Sequence, residues 1–197
     1  MKVELELTDA TSAVLVKNLW PLYVHEISEY NHQVPNPHGL LIDDEQVTTI
    51  ADQAETQSGW WKRADSLFPY LIRANGTPAG FHLIASPPSI PPEIDADFVV
   101  HEFFLLHAFR GKGLSGQGVA EEAAVAGIER HPGRWEIVTD PQNRRAVAFW
   151  RKVVRHFTAR EFTDRVIDHP WGRKVAFRFE TGESSANEAG SSQPPSA

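Results

Sequence analysis

Residues 109–118 read FRGKGLSGQG, four glycines and two cations set between an apolar run and an alanine-rich segment. A strand that enters a glycine-rich turn and leaves it as a helix gathers unpaired backbone N–H groups and the positive end of a helix dipole around one spot. Anions bind at such spots. Glycine lets a bulky pyrophosphate approach the main chain, and Arg110 and Lys112 add charge on either side of Gly111. The loop therefore reads as a cofactor phosphate site, and the elements around it decide which cofactor it takes.

Upstream, 98–109 is the most apolar run of the chain and belongs at the centre of a sheet. Downstream, 116–130 carries Val119, Ala120, Ala123, Ala124 and Ile128 on one side of a helix that Pro132 and Gly133 stop. Residues 135–139 form a short strand. A helix over 143–157 follows, its apolar stripe running through Ala146, Phe149, Trp150, Val153 and Phe157. Two alternating segments, 161–167 and 174–179, close the sheet as a hairpin around DHPWG.

Toward the N-terminus, VELEL at 3–7 has the period of a half-buried strand. Leu15, Leu19, Leu22, Tyr23 and Ile27 then recur at helical spacing, and Pro21 predicts a kink or a division of that helix. Residues 31–44 read as a loop, with a short polar helix before SGWW at 58–61. Asn75 and Gly76 join two apolar runs, 67–74 and 79–85, as an antiparallel hairpin, because both tolerate the positive φ of a tight turn. The order is β, α-α, β, β, β, α, β, α, β, β, an α/β chain with a mixed sheet of about seven strands and helices on both faces. Residues 1–180 form one domain. Residues 181–197 hold no aromatic, leucine, isoleucine or valine and are expected to stay disordered.

Composition narrows the function. A net charge of -7 disfavours nucleic-acid and membrane-surface binding, which need a basic face. The absence of cysteine excludes disulfides, thiolate metal sites and a thiol nucleophile. Neither a signal-peptide core nor a transmembrane run is present in the sequence, so a cytoplasmic protein is expected. His25, His32 and His38 match no ordered ligand spacing, and no metal is expected.

Gly111, Gly113 and Gly116 spell G-x-G-x-x-G, the dinucleotide fingerprint, and Asp140 ends the following strand as a ribose-binding acid would. Against an NAD(P)-dependent oxidoreductase stand the long spacing to Asp140, the arginine before the first glycine and the hairpin-rich upstream half. No Walker string occurs. In another register, Arg110 to Ser115 resembles the [QR]-x-x-G-x-[GA] turn of the GNAT superfamily of acetyl-CoA-dependent N-acyltransferases. The segment NRRAVAFWRKV, beginning at Asn143, is similar to that superfamily's N-x-x-A-x-x-F-[YW] helix. The resemblance spans roughly residues 3–180, and its fold has the element order derived above.

The resemblance implies an N-acetyltransferase that moves an acetyl group from acetyl-CoA, its co-substrate, to a primary amine of a small molecule or protein. The alternative kept beside it is a binding module that senses acetyl-CoA with little catalysis. A homodimer stays open. The resemblance also implies that Phe103, Phe104 and Leu105 lie where the central strand splays from its neighbour and offers main-chain groups to the pantetheine arm. Gly111, Lys112, Gly113, Leu114, Ser115 and Gly116 would wrap the pyrophosphate, with Arg110 assisting. Asn143 would flank the pantetheine arm and Trp150 would pack against the cofactor.

Acyl transfer to an amine needs a neutral amine, stabilisation of the oxyanion and a proton for the departing thiolate. Glu102, which interrupts the apolar run, is the first candidate base, since burial raises a carboxyl pKa. His101 and His107 have similar claims. Trp150 stands where many relatives carry a tyrosine, and an indole cannot supply that proton, so the acid falls to Tyr30, to Tyr23 or to water. Tyr23, Glu26, Tyr30, His32 and Trp171 are expected to line the acceptor site.

Overall fold

The computed structural model describes residues 2–111, 118–158 and 164–182. Residues 183–197 of the expected disordered tail, the helix start at 116–117 and the strand start at 161–163 lie outside them. One seven-stranded sheet runs in the order β1-β2-β3-β4-β5-β7-β6. Its strands are β1 (Val3–Leu7), β2 (Leu67–Ala74), β3 (Thr77–Ala85), β4 (Phe98–Leu105), β5 (Gly133–Thr139), β6 (Arg165–His169) and β7 (Gly172–Thr181). β7 thus reaches one residue into the stretch assigned to the tail. All neighbours are antiparallel except β4 and β5.

The helices are α1 (Ala13–Asn31), α2 (Ile50–Glu55), α3 (Val119–Glu129) and α4 (Arg144–Phe157), and a 3-10 turn at Thr56–Trp61 continues α2. α1 runs undivided through Pro21. Its buried stripe of Val16, Leu19, Tyr23 and Val24 packs on Leu71, Phe81 and Leu83 of the sheet, and that tertiary burial outweighs the one backbone bond that proline removes. α3 and α4 cover the opposite face, where Ala123, Ala124, Ile128, Val153 and Val154 meet Ile84, Ile137 and Phe177. The Asn75-Gly76 turn has φ of 49° and 79° at its two residues, as the sequence predicts.

β4 is the middle strand, and its pairing has two irregularities. Its ladder to β3 skips: Leu83 pairs with Glu102 and Ile84 with Val100, leaving His101 as the extra residue of a β-bulge. Its ladder to β5 covers only Phe98, Val99 and Val100, opposite Trp135, Glu136 and Ile137. Beyond Val100 the two parallel strands part.

Candidate active site

The bulge decides what faces the gap between β4 and β5. Without it, strict alternation would turn Glu102 toward α3 and α4, on the face of Val100. With it, His101 and Glu102 both point to the α1 side, while Phe103 returns to the α4 side opposite His82. The result is a cleft of about 420 Å³. Its α1 side is formed by Tyr23, Tyr30, His101, Glu102, Trp171 and Lys174, and its α4 side by Phe103, Asn143, Ala146 and Trp150.

Glu102 sits at the bottom with 23% of its side chain exposed. Burial pushes its carboxyl up to about 8, and the Lys174 ammonium nearby pulls weakly the other way. The Tyr23 hydroxyl, from the buried stripe of α1, donates a hydrogen bond to Glu102 Oε2. His101 Nδ1 lies 3.6 Å from Glu102 Oε1, and its ring stands between Trp60 and Trp171. Burial lowers the His101 pKa, which keeps the ring neutral at neutral pH. Tyr30 has its pKa raised, first by burial and then by Glu29, so its phenol keeps its proton.

Across the cleft, Asn143 caps α4 by accepting the Ala146 amide at 2.9 Å, and it lines the cleft as well. Trp150 is 5% exposed and packs edge-on against Phe103 and Phe149. The Trp171 wall is held from behind. Trp171 N donates to His169 Nδ1 at 3.1 Å, which leaves His169 Nε2 as the protonated nitrogen facing Glu136 Oε1 at 3.0 Å. Arg178 Nε donates to the other oxygen of Glu136. Glu136 is therefore a buried carboxylate satisfied on both oxygens.

Of the expected residues, Glu102, Tyr30, Phe103, Asn143 and Trp150 meet in this cleft. Six others, Phe104, Leu105, Arg110, Glu26, His32 and His107, are not part of its lining. Phe104 faces the α1 core, against Tyr23 and Phe81, and Leu105 is buried in the α4-side core. Past the bulge alternation carries their side chains to the two cores, so the role expected of these two residues rests on their main-chain groups alone. Arg110 is not a free cation: its guanidinium makes two hydrogen bonds to the Glu26 carboxylate, its Nε donates to the Leu105 carbonyl, and it lies 5.5 Å over the Phe104 ring. That engagement also removes Glu26 from the expected acceptor lining. His107 and Glu26 border a separate, more open depression of about 730 Å³ on the far side of α1. Gly111 adopts the left-handed φ of 58° that favours glycine. Lys112, Gly113, Leu114, Ser115 and Gly116 lie outside the described residues.

Lys174 was missed by sequence reading. It belongs to a strand where Val175 and Phe177 face α4, so alternation does put it on the cleft side, but only the sheet order brings that strand next to β5. Among the described residues no group of three or more His, Asp or Glu gathers as a metal site, and no helix is long and apolar enough to cross a membrane.

No family model matches the chain, and no curated protein matches it. Solved structures do. The aminoglycoside acetyltransferase AAC(6')-Ib, in complex with ribostamycin and coenzyme A, is 18% identical with a TM-score of 0.63, over 96% of this chain and 100% of that one. An acetyltransferase from Thermus thermophilus is 16% identical with a TM-score of 0.55, over 91% and 97%. Mycobacterium smegmatis RimJ, in complex with CoA-disulfide, is 16% identical with a TM-score of 0.56, over 90% and 81%. At such identities what is shared is the fold.

Proposed function

We propose that this chain, which has the GNAT acyl-CoA N-acyltransferase fold, transfers an acetyl group from acetyl-CoA to a primary amine. One observation carries the reading: β4 parts from β5 at the residue where a bulge delivers a carboxyl with a raised pKa, Glu102, into the gap. The residues present suit acetyl-CoA. Past Val100, β4 has no strand partner on its β5 side, so main-chain donors and acceptors directed there are open to an extended chain such as pantetheine. Phe103 and Trp150 give that chain an apolar wall and Asn143 a polar edge.

Bound there, acetyl-CoA supplies an activated acetyl thioester. Glu102 takes one proton of the acceptor ammonium, freeing the nitrogen lone pair that forms the amide bond as the carbon–sulfur bond breaks; the nitrogen then gives up its second proton, which replaces the one that Tyr30 passes to the thiolate. Tyr23 holds the carboxylate in place and stabilises its charged form. His101, neutral between two indoles, shields Glu102 from water on the outer side. Tyr30, protonated in the same cleft, is the candidate donor of the proton that ends on sulfur. Trp150 acts only as packing surface, so Trp150→Tyr leaves activity in place.

A thermal shift tests the cofactor. Acetyl-CoA at about 100 times its Kd stabilises the native state by about 2.7 kcal/mol. In a domain of this size that raises Tm by about 5–10 °C. NADH leaves Tm unchanged. A shift with NADH and none with acetyl-CoA rejects the proposal, and tight acetyl-CoA binding without thiol release over a wide amine panel replaces the enzyme by a sensor.

A further inference from the structure

We propose that the acceptor is an amine that also carries a carboxylate, and that Lys174 holds that carboxylate while Glu102 serves the amine. The inference rests on the acetyl-transfer reading above. Lys174 is on β7, on the face opposite Val175 and Phe177, and its side chain lines the same cleft as Glu102, Tyr30 and Trp171. Several cations on neighbouring elements are engaged: Arg178 with Glu136, Arg151 with Asp164, Arg110 with Glu26, Arg134 with Asp95 and Asp97. The Lys174 side chain has neither a hydrogen-bond nor an ion-pair partner among the described residues, and its ammonium acts on Glu102 only from beyond ion-pair distance.

The charges facing that ammonium make the vacancy informative. His101 is neutral at neutral pH, and Glu102 is mostly protonated there. Asp140, at the end of β5, is the other acid of the lining, and one of its oxygens already accepts the Gln142 amide at 2.8 Å. Around Tyr30 the charges are mixed, with Glu29 and Glu26 of α1 on one hand and Arg145 at the start of α4 on the other. A bare ammonium entering this cleft finds acids in Glu102 and Asp140 but leaves the Lys174 ammonium without a partner of its own. An amine with a carboxylate a few bonds away offers both ends a partner: its ammonium meets Glu102 and Tyr23, and its carboxylate meets Lys174 in a charge-assisted hydrogen bond. Both residues line one cleft of about 420 Å³, which selects a compact amino acid or the end of a chain.

The test compares acetylation of glycine, β-alanine, 4-aminobutyrate and leucine with that of each one's carboxamide, by thiol release from acetyl-CoA at matched concentrations of free amine. The carboxylates are expected to be preferred in kcat/KM by about 10- to 100-fold for at least one pair, the range of a single hydrogen bond between charged partners. Lys174→Met abolishes that ratio through the KM of the carboxylate, and Lys174→Glu inverts it. Equal use of both members of every pair overturns the inference. So does a ratio that survives Lys174→Met while the pH profile moves, since Lys174 would then only tune Glu102. If acetyl-CoA still raises Tm but no carboxylate-bearing amine is acetylated, the inference fails and the acetyl-CoA reading stands. Loss of the acetyl-CoA shift itself takes down both.

Discussion

Replacing Glu102 by glutamine preserves the shape of the side chain and its bond to Tyr23 while removing the proton acceptor, so it isolates the base. With the carboxyl pushed up to about 8, roughly one molecule in ten carries the carboxylate at pH 7 and one in a hundred at pH 6. The native protein should therefore show log kcat/KM rising with unit slope and bending near pH 8. Above the bend it stays level until an alkylamine acceptor loses its own proton near pH 10. In Glu102→Gln the acceptor must arrive already neutral, so the unit slope continues and the bend moves up by about two pH units. Near pH 8 the rate falls by about 10²- to 10⁴-fold, the usual contribution of a general base. Thiol release from acetyl-CoA, followed from about pH 6 to about pH 10, reads both effects. An unchanged bend in the variant, or a rate within threefold of the native protein at about pH 8, refutes Glu102 as base.

Tyr23→Phe removes the hydrogen bond that favours the ionised carboxylate; the bend moves upward by about one pH unit, and kcat/KM near pH 7 falls about tenfold, with little change above the bend. Acid stability couples Glu102 to His82. Burial holds the His82 pKa down at about 3, so the unfolded chain binds a proton that the folded one refuses, and stability is lost as pH falls from 6.5 toward 3. Glu102 has the opposite sign: the fold keeps a proton that the unfolded chain has released, so stability declines as pH rises from 4.5 toward 8. From pH 6.5 to 4.5 the two slopes nearly cancel. Glu102→Gln exposes that of His82, a loss of up to about 2–3 kcal/mol over this window, or about 5–10 °C in Tm by calorimetry. Parallel curves for the two proteins would contradict this coupling. Gly127→Ala sets a methyl group against the His82 ring, which lies fully buried under α3, and costs about 1–3 kcal/mol in chemical denaturation.

Local chemistry made much of the fold legible. VELEL pairs along its whole length with β2, the Asn75-Gly76 turn takes the positive φ that its residues permit, and Asn143 caps the helix whose apolar stripe it precedes. Each of these depends on residues within a few positions of one another. What the sequence did not reveal has the opposite property. Pro21 stays inside one helix because of side chains from β2 and β3, fifty and more residues away. Arg110 pairs with Glu26, 84 residues earlier, only because α1 lies against the end of β4. Lys174 enters the site because β7 sits between β5 and β6, a non-sequential order that alternation within the strand does not reveal.

Glu102 shows why a residue singled out in the sequence had no legible geometry. In VVHEFF, simple alternation assigns Glu102 to the face of Val100, beneath α3 and α4, where an ionisable group would be sealed in apolar packing and out of reach of Tyr23. The extra residue at His101 reverses that assignment, and it stands immediately after the last pair that β4 makes with β5. A bulge bends its strand and strengthens the local twist. The irregularity that turns Glu102 toward α1 is thus also placed to lead β4 away from β5 and open the gap. Buried surroundings then raise the carboxyl toward the pH at which it can both accept and release a proton. Cleft and base therefore arise from a single insertion in one strand, and a change that restored regular pairing there would remove both together.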